Sequence, residues 1–298
     1  MTRLEQYLDW MKSRRPDLSG LRFAVDCSNG MSSLLVKGLF PEAEIINDNL
    51  DGTFACHSPN PLKDEARQQL SQLVKAKGLD CGVIFDGDAD RAMFVDERGE
   101  FVQPDYLIPV VARATGKGKI VHDVRTSRGA IEELKRMGCE PVMVPVGHAF
   151  AKPVIRKIGA VCGGELAGHY YFSEFYGCDS GVLAAMRILG EIANARRGGK
   201  TFSQMMKPIS GVYANSGEVN FRVEDKDAAI ARVLAAAKRD LPPELSRCEM
   251  DGIRIEYAEG WINIRKSNTE PFLRLIAECD TQERLDSWMR ILKEAIND

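Results

Sequence analysis

Three aspartates stand at alternate positions in "GVIFDGDADRAMFVDERGE", residues 82–100: Asp86, Asp88 and Asp90, directly after an apolar run. Carboxylates this close repel one another unless a cation sits among them. The apolar run reads as a buried strand, and open α/β sheets place ligands at the carboxyl ends of their strands. Gly87 and Ala89 keep the loop uncrowded, so three oxygens can converge on one small hard cation and leave places for water or a phosphate oxygen. Magnesium suits such a donor set, and Arg91 beside it adds positive charge aimed at the same phosphate.

Other chemistries share part of this spelling. Counted from Asp86 as position 1, a calcium EF-hand finds acids at positions 3, 5 and 12 in Asp88, Asp90 and Glu97. Position 6 needs glycine for the sharp turn and holds Arg91, and the flanks are strand-like where helices are required. A phosphotransferase of the haloacid-dehalogenase type needs D-x-D-x-[TV] with the first Asp as nucleophile. Here Asp90 takes the Thr/Val place, and no downstream acidic pair completes that site. An acidic surface turn leaves the clustering at a buried strand's end unexplained.

Two further stretches carry chemistry. "WINIRKSNTEPFLRL" (261–275) sets Arg265, Lys266, Ser267, Asn268 and Thr269 in a row between strand-like runs, a dense set of donors for a phosphate. A solvated basic turn is the plain alternative. "CGGELAGHYYF" (162–172) is a Gly-flexible turn presenting Glu165 and His169, and a carboxylate accepts hydrogen bonds from neighbouring sugar hydroxyls.

The elements that must position these turns alternate strand and helix. "LRFAVDCSNG" followed by "MSSLLVKGLF" reads as a βα unit, and "AEIIN", helical "PLKDEARQQLSQLVKAKG" and "CGVIFD" continue the pattern, which favours a mostly parallel sheet. A second round runs from "YLIPVVARATG" through "KIVHDV", "GAIEELKRMG", "EPVMVPV", "AFAKPVIRKIG" and "AVCGGE" to the helix "SGVLAAMRILGEIANARRGG". "KPISGVYANSG" reads as a connector. Beyond it come "EVNFRV", a helix near 225–240, several strands and a last helix "TQERLDSWMRILKEAI". The expected architecture is α/β: two three-layer α/β/α domains, 1–105 and 106–210, followed by a smaller α+β domain, 211–298.

Composition bounds the class. The 298 residues suit two domains or three smaller ones at about 150 residues each. With 44% hydrophobic and 28% charged residues and a formal charge of -3, the chain reads as globular and offers no general field for nucleic acid or an anionic membrane. The start, "MTRLEQYLDWMKSRRPDL", has no signal-peptide core, and no run reaches the ~18 apolar residues of a membrane span, so a cytoplasmic location is expected. Eight singly scattered cysteines indicate neither a disulfide framework nor a cysteine zinc site.

Together and in this order, the three stretches resemble the α-D-phosphohexomutases, the phosphoglucomutase/phosphomannomutase family, across nearly the whole chain. In that family D-G-D-x-D-R binds magnesium, G-E-x-S-G-H contacts the sugar and R-x-S-N-T-E-P holds the non-reacting phosphate. The resemblance implies Asp86, Asp88 and Asp90 as ligands of Mg2+, with Arg91 at the transferring phosphate. Glu165 and His169 would meet the sugar, and Arg265, Ser267, Asn268 and Thr269, helped by Arg274, would clamp the distal phosphate. "HDVRTSRGA" and "VGHAFAK" resemble family segments near the reacting groups, making Arg125 and His148 proton-transfer or phosphate-positioning candidates. The implied substrate is glucose or mannose 1-phosphate or 6-phosphate, and "SNTEP" with "GGELAGHYYF" is closer to the glucose/mannose branch than to the glucosamine branch.

Departures from the family accompany the match. Arg125 stands where lysine is expected, and arginine is a poorer proton carrier. Ala167 replaces the usual serine. Family members begin with a further domain whose serine carries the transferred phosphate, whereas this sequence starts where their second domain does; Ser58 in "CHSPNP" lies in the family's own H-x-P-N-P stretch. The expectation is therefore Mg2+ and phosphosugar binding without turnover, with the first domain supplied in trans, and with weaker magnesium binding in its absence. A shortened phosphosugar sensor or scaffold, and a metal-dependent sugar phosphatase, are the alternatives.

Overall fold

The computed structural model describes residues 1–267 and 271–297. Helix α1 (Arg3–Lys12) starts at a capping box in which Thr2 and Glu5 satisfy each other's backbone N–H groups. The first sheet follows from β1 (Phe23–Asp26), the one-turn α2 (Val36–Leu39), β2 (Glu44–Ile46), α3 (Asp64–Lys77), β3 (Cys81–Phe85), β4 (Ala92–Asp96) and β5 (Phe101–Val102). Ala66, Leu70 and Val74 recur at helical spacing and form the buried face of α3, and Gly78 ends it in the left-handed conformation.

Strand order is β2-β1-β3-β4-β5, parallel over the first three and antiparallel over the last two. The expected mostly parallel sheet is therefore mixed. The reason lies in the connection: residues 86–91 join β3 to β4 directly, and a parallel return needs a crossover of a dozen or more residues.

The second unit repeats that plan. Helix α4 (Ile108–Thr115), β6 (Lys119–Asp123), α5 (Arg128–Arg136), β7 (Glu140–Val144) and α6 (His148–Ile158) lead to β8 (Cys162–Gly164), β9 (Tyr170–Phe172), β10 (Cys178–Asp179) and α7 (Gly181–Arg197). The order is β10-β9-β8-β6-β7, again parallel around β6 and antiparallel from the β8–β9 hairpin onward. Helix α7 is buried on most of its circumference, and one continuous apolar core runs from Phe23 and Phe85 through Ile108 to Leu189 and Phe202. The first two units thus share a core.

Helix α8 (Phe202–Ser210) occupies the start of the expected connector, opened by a capping box between Thr201 and Gln204. The last unit comprises β11 (Ala214–Asn215), β12 (Val219–Arg222), α9 (Lys226–Asp240), β13 (Ser246–Cys248), β14 (Ile253–Glu256), β15 (Gly260–Lys266), β16 (Phe272–Cys279) and α10 (Gln282–Asn297). Its sheet is antiparallel, β11-β16-β15-β14-β13 with β12 also on β16, and α9 and α10 share its core. No helix among the described residues is long and apolar enough to cross a membrane.

The join between the last two units is polar. Arg128, the first residue of α5, donates to the carbonyls of Tyr257 (2.8 Å), Ala258 (3.1 Å) and Gly260 (2.9 Å) and to Glu256 (2.8 Å). In return Arg254 stacks 3.7 Å from the Trp261 ring and donates to Val124 O (2.6 Å) and Thr126 O (3.1 Å). Removing one of these cations leaves carbonyls without partners. Arg128→Ala is expected to weaken the contact by about 1.5–3 kcal/mol, as lost hydrogen bonds to a charged group do. Calorimetry checks this: the C-terminal unit should melt separately from the rest, and an unchanged melting profile contradicts it.

Candidate functional site

All three stretches that carry chemistry fall on hairpin turns. The first, residues 86–91, reverses β3 into β4, with Phe85 opposite Ala92. Its backbone is held from below by residues 27–31: Ser28 Oγ donates to Phe85 O (2.5 Å) and Met31 N to Gly87 O (2.9 Å). Gly30 packs so closely that a Cβ there would stand 2.5 Å from Gly87 O, so only glycine fits. Ala89 sits in the left-handed region at φ 64°, tightening the turn.

Asp86, Asp88 and Asp90 each offer a carboxylate oxygen, and these oxygens lie within 4.8 Å of one another. Asp86 is buried, and burial raises its pKa while the adjacent Arg91 guanidinium pulls it down. Arg91 Nε donates to Asp86 Oδ2 at 2.5 Å, its backbone N to Oδ1 at 3.1 Å, and Nη1 reaches Asn60 Oδ1 at 3.5 Å. A buried carboxylate whose charge is disfavoured, grouped with two more, fits a hard divalent cation. Glu97, which an EF-hand would need, instead accepts from Ser203 at the far end of β4.

The second turn, residues 165–169, reverses β8 into β9. Glu165 N donates to His169 O and Gly168 N to Glu165 O, both at 3.0 Å. The two turns are zipped together: Ala92 N donates to Gly168 O (3.2 Å), and Arg91 and His169 form an antiparallel bridge. Gly168, at φ 88°, takes a left-handed conformation that a side chain would strain. Glu165 is almost fully buried, accepts from the Tyr171 hydroxyl, and has its pKa raised by burial and by Asp123. His169 Nδ1 lies 3.3 Å from Asp179 Oδ2 and 3.6 Å from Asp90 Oδ2. His148, exposed at the start of α6, has its ring centroid 6.0 Å from that of His169.

The third turn joins β15 to β16 and sets Arg265 directly opposite Arg274. Like charges facing across a ladder repel, and Glu218 supplies the compensation. It accepts from Arg265 Nη2 (2.9 Å), Arg274 Nη1 (3.3 Å) and Arg125 Nη1 (3.4 Å). Burial would raise the Glu218 pKa, but the three guanidiniums hold it lowered. Ser267 N donates to Phe272 O at 2.9 Å; Asn268 and Thr269 lie outside the described residues.

Arg125 ties the second turn to the third. It is buried and grips Asp123 through Nη2 (2.6 Å) and its own backbone N (2.7 Å). Burial acts to lower its pKa, yet Asp123 and Glu218 keep it raised, so this guanidinium stays charged and does not relay protons. Asp123 also accepts from Leu166 N at 3.1 Å, next to Glu165. Reading by motif passed over Asp123, Lys152, Asp179 and Glu218. Asp123 and Lys152 stood inside the quoted "HDVR" and "VGHAFAK" segments, whereas nothing in "NSGEVN" marks Glu218 as the acceptor for three arginines.

These features define a class, three α/β-type units each presenting one charged hairpin turn. The chain belongs to the phosphoglucomutase/phosphomannomutase family: residues 3–99 match its alpha/beta/alpha domain II, 103–212 its alpha/beta/alpha domain III and 218–295 its C-terminal domain. Phosphohexose mutases of Xanthomonas campestris pv. campestris are 36% identical over 283 residues, covering 92% of this chain and 61% of the relative. A phosphomannomutase of Methanocaldococcus jannaschii is 35% identical over 291 residues, covering 95% and 63%. The crystal structure of a phosphoglucomutase/phosphomannomutase family protein from Burkholderia thailandensis superposes with a TM-score of 0.85 at 27% identity, covering 98% of this chain and 64% of that one. The chain thus spans somewhat under two thirds of the length of these relatives.

A histidine under the first turn gives a pH test of this arrangement. His57 Nε2 lies 3.1 Å from Asp26 Oδ2 and Nδ1 lies 2.9 Å from Ser58 O, so the imidazolium satisfies both acceptors. The hydrogen bond to Asp26 is the main cause of its raised pKa. The folded chain therefore holds a proton that the unfolded chain releases near pH 6.5, and stability present below that value is lost as pH rises through the raised pKa. Urea titrations of wild type and His57→Gln across pH 5.5–8.5, roughly one unit below and two above the reference value, are expected to converge as pH rises. A constant difference between them counts against the ion pair.

Proposed function

We propose that these residues are the magnesium- and phosphosugar-binding part of a phosphoglucomutase/phosphomannomutase-type intramolecular phosphotransferase, interconverting hexose 1-phosphate and 6-phosphate in the cytoplasm. The observation that carries the reading is a continuous polar path from the acidic turn to the arginine turn. It runs from Asp86 and Arg91 through the zipped backbone to Glu165, Asp123 and Arg125, and on to Glu218, Arg265 and Arg274. Glucose and mannose phosphates are the favoured substrates, in keeping with relatives named phosphomannomutases and phosphoglucomutases.

Asp86, Asp88 and Asp90 would hold Mg2+, which supplies Lewis-acid neutralisation of charge on the transferring phosphate. Arg91 is poised to exchange Asp86 for that phosphate. Arg265, Ser267, Asn268, Thr269 and Arg274 clamp the non-reacting phosphate, with bidentate arginine fixing its orientation. Glu165 and His169 read sugar hydroxyls. Arg125, permanently charged, positions the phosphosugar, which leaves His148, exposed and near His169, as the proton carrier.

The phosphoserine donor is contributed by residues other than these, in cis or in trans. Ser58 is an unsuitable substitute: its Oγ accepts from Asn60 N (3.4 Å) within the turn of the H-x-P-N-P stretch. Calorimetric titration with Mg2+ and glucose 1-phosphate, alongside a coupled assay with and without glucose 1,6-bisphosphate, tests the proposal. The 298-residue chain is expected to bind phosphosugar without turnover. Arg265→Ala should weaken that binding by about 1.5–3 kcal/mol, the range for hydrogen bonds to charged groups, and Asp88→Asn should weaken magnesium binding by at least about tenfold, or 1.4 kcal/mol. Steady turnover by this chain alone refutes the donor argument, and unaltered phosphosugar binding in Arg265→Ala removes the clamp.

A further inference from the structure

A cavity of about 390 Å³ opens at the join between the second and last units, lined from β6, α5 and β7 on one side and β14 on the other rather than from the three turns. His122 and Asp123 are consecutive on β6, so their side chains point to opposite faces of the sheet. Asp123 meets Arg125 and Leu166 N beside the second turn, and His122 lines the cavity.

The lining holds one unsatisfied acceptor. His122 is 2% exposed, and its Nδ1 lies 3.1 Å from Asp123 O, an acceptor, so Nδ1 carries the hydrogen. Burial pushes the imidazole pKa down to about 4, which keeps the ring neutral and leaves Nε2 a bare lone pair. Nε2 makes no hydrogen bond to any described residue, and a buried polar atom left so is costly. Around it positive charge is in excess. Arg128, Lys135 and Arg254 share the lining with Glu132 and Glu256. Glu256 serves both guanidiniums, accepting from Arg254 Nε at 2.7 Å and Arg128 Nη2 at 2.8 Å, and Glu132 accepts from the Tyr213 hydroxyl. Burial pulls the Arg254 pKa down, and Glu256 offsets part of that. Lys135, exposed, forms no ion pair with a described carboxylate. Pro141 and Met143 add an apolar wall.

We propose that this cavity is a ligand site for a small polyol phosphate, whose hydroxyl donates to His122 Nε2 while its phosphate is met by Lys135 and the paired guanidiniums. The phosphate suits the cations and the carbon skeleton suits the apolar wall. Bound there, the ligand ties α5 and β7 to β14, so occupancy stabilises the join between the two units. The site is independent of the phosphoryl-transfer reading, because its occupancy is measured without hexose phosphate or magnesium.

The test follows the Met143 methyl group of the intact chain by NMR, using labelled methionine and Met143→Leu to identify the signal, a local reporter that separates this cavity from the arginine turn. Glycerol 3-phosphate is expected to shift the signal saturably. Inorganic sulfate, an anion without a hydroxyl, is expected to bind at least about tenfold more weakly, and Lys135→Glu to weaken glycerol 3-phosphate binding at least about tenfold, as the loss of a charge-assisted contact does. In His122→Leu the preference for glycerol 3-phosphate over sulfate should vanish. Four results overturn the proposal: no saturable shift, equal affinity for the two anions in the wild type, unchanged affinity in Lys135→Glu, or a preference that survives in His122→Leu. The wild-type comparison of the two anions decides the matter even where a variant fails to fold.

Discussion

The structure is organised around one electrostatic constraint: carboxylates are crowded at the end of a buried strand, and their charge must be met from somewhere. Asp86 shows how. Its burial disfavours the charged form, and the Arg91 side chain and backbone, five residues along the same turn, offset that cost. A long arginine folded back on its own turn provides compensation that can be exchanged. The same logic recurs in the third unit, where Glu218 compensates Arg265, Arg274 and Arg125 together.

Placing the acidic triplet and the Glu165–His169 pair on hairpin turns follows from the backbone. A hairpin fixes both ends of a short segment by ladder hydrogen bonds, so its side chains are positioned more tightly than on a long βα loop. Reversal also produces the mixed sheets. In both α/β units the parallel part supplies the helices and the core, and the strand direction changes where the functional turn lies. Glycines then allow the turns to approach. Gly30 seats residues 27–31 under the acidic turn, Gly168 lets the second hairpin lie on Met93, and a Cβ on Gly181 would stand 2.7 Å from the Arg91 backbone as α7 begins.

Much of this arrangement was legible in the order of residues, and what was not has physical causes. The apolar run before Asp86, the periodicity of α3 and the alternation of strands and helices are local signals, and those elements occur where the patterns lie. Strand direction is not local. Residues 86–91 were read as a loop at the end of a parallel strand, and only the pairing of Phe85 with Ala92 shows a reversal. Helix α8 went unrecognised because Pro208 and Gly211 dominate its end, although Thr201 and Gln204 spell a capping box at its start. The nearly all-round apolar α7 was a usable signal, since such a helix must be covered on both sides, and it is what fuses the first two units into one core. Glu218 had no such signal, because its role is defined by three arginines brought in from two other strands and a loop.

The replacement of the expected lysine by Arg125 is best understood from its neighbours. A lysine ammonium is a point charge that one carboxylate can satisfy, whereas the planar guanidinium presents a fork of donors. Here the fork is filled from two sides: Asp123 takes Nη2 and Nε, and Glu218 in the C-terminal unit takes Nη1. Arginine at this position therefore spans an interface that a shorter, single-headed cation would not bridge in the same way. The gain is mechanical, a tie between the second turn, through Asp123, and the arginines of the C-terminal unit. The loss is chemical, because a group held this firmly charged cannot pass a proton.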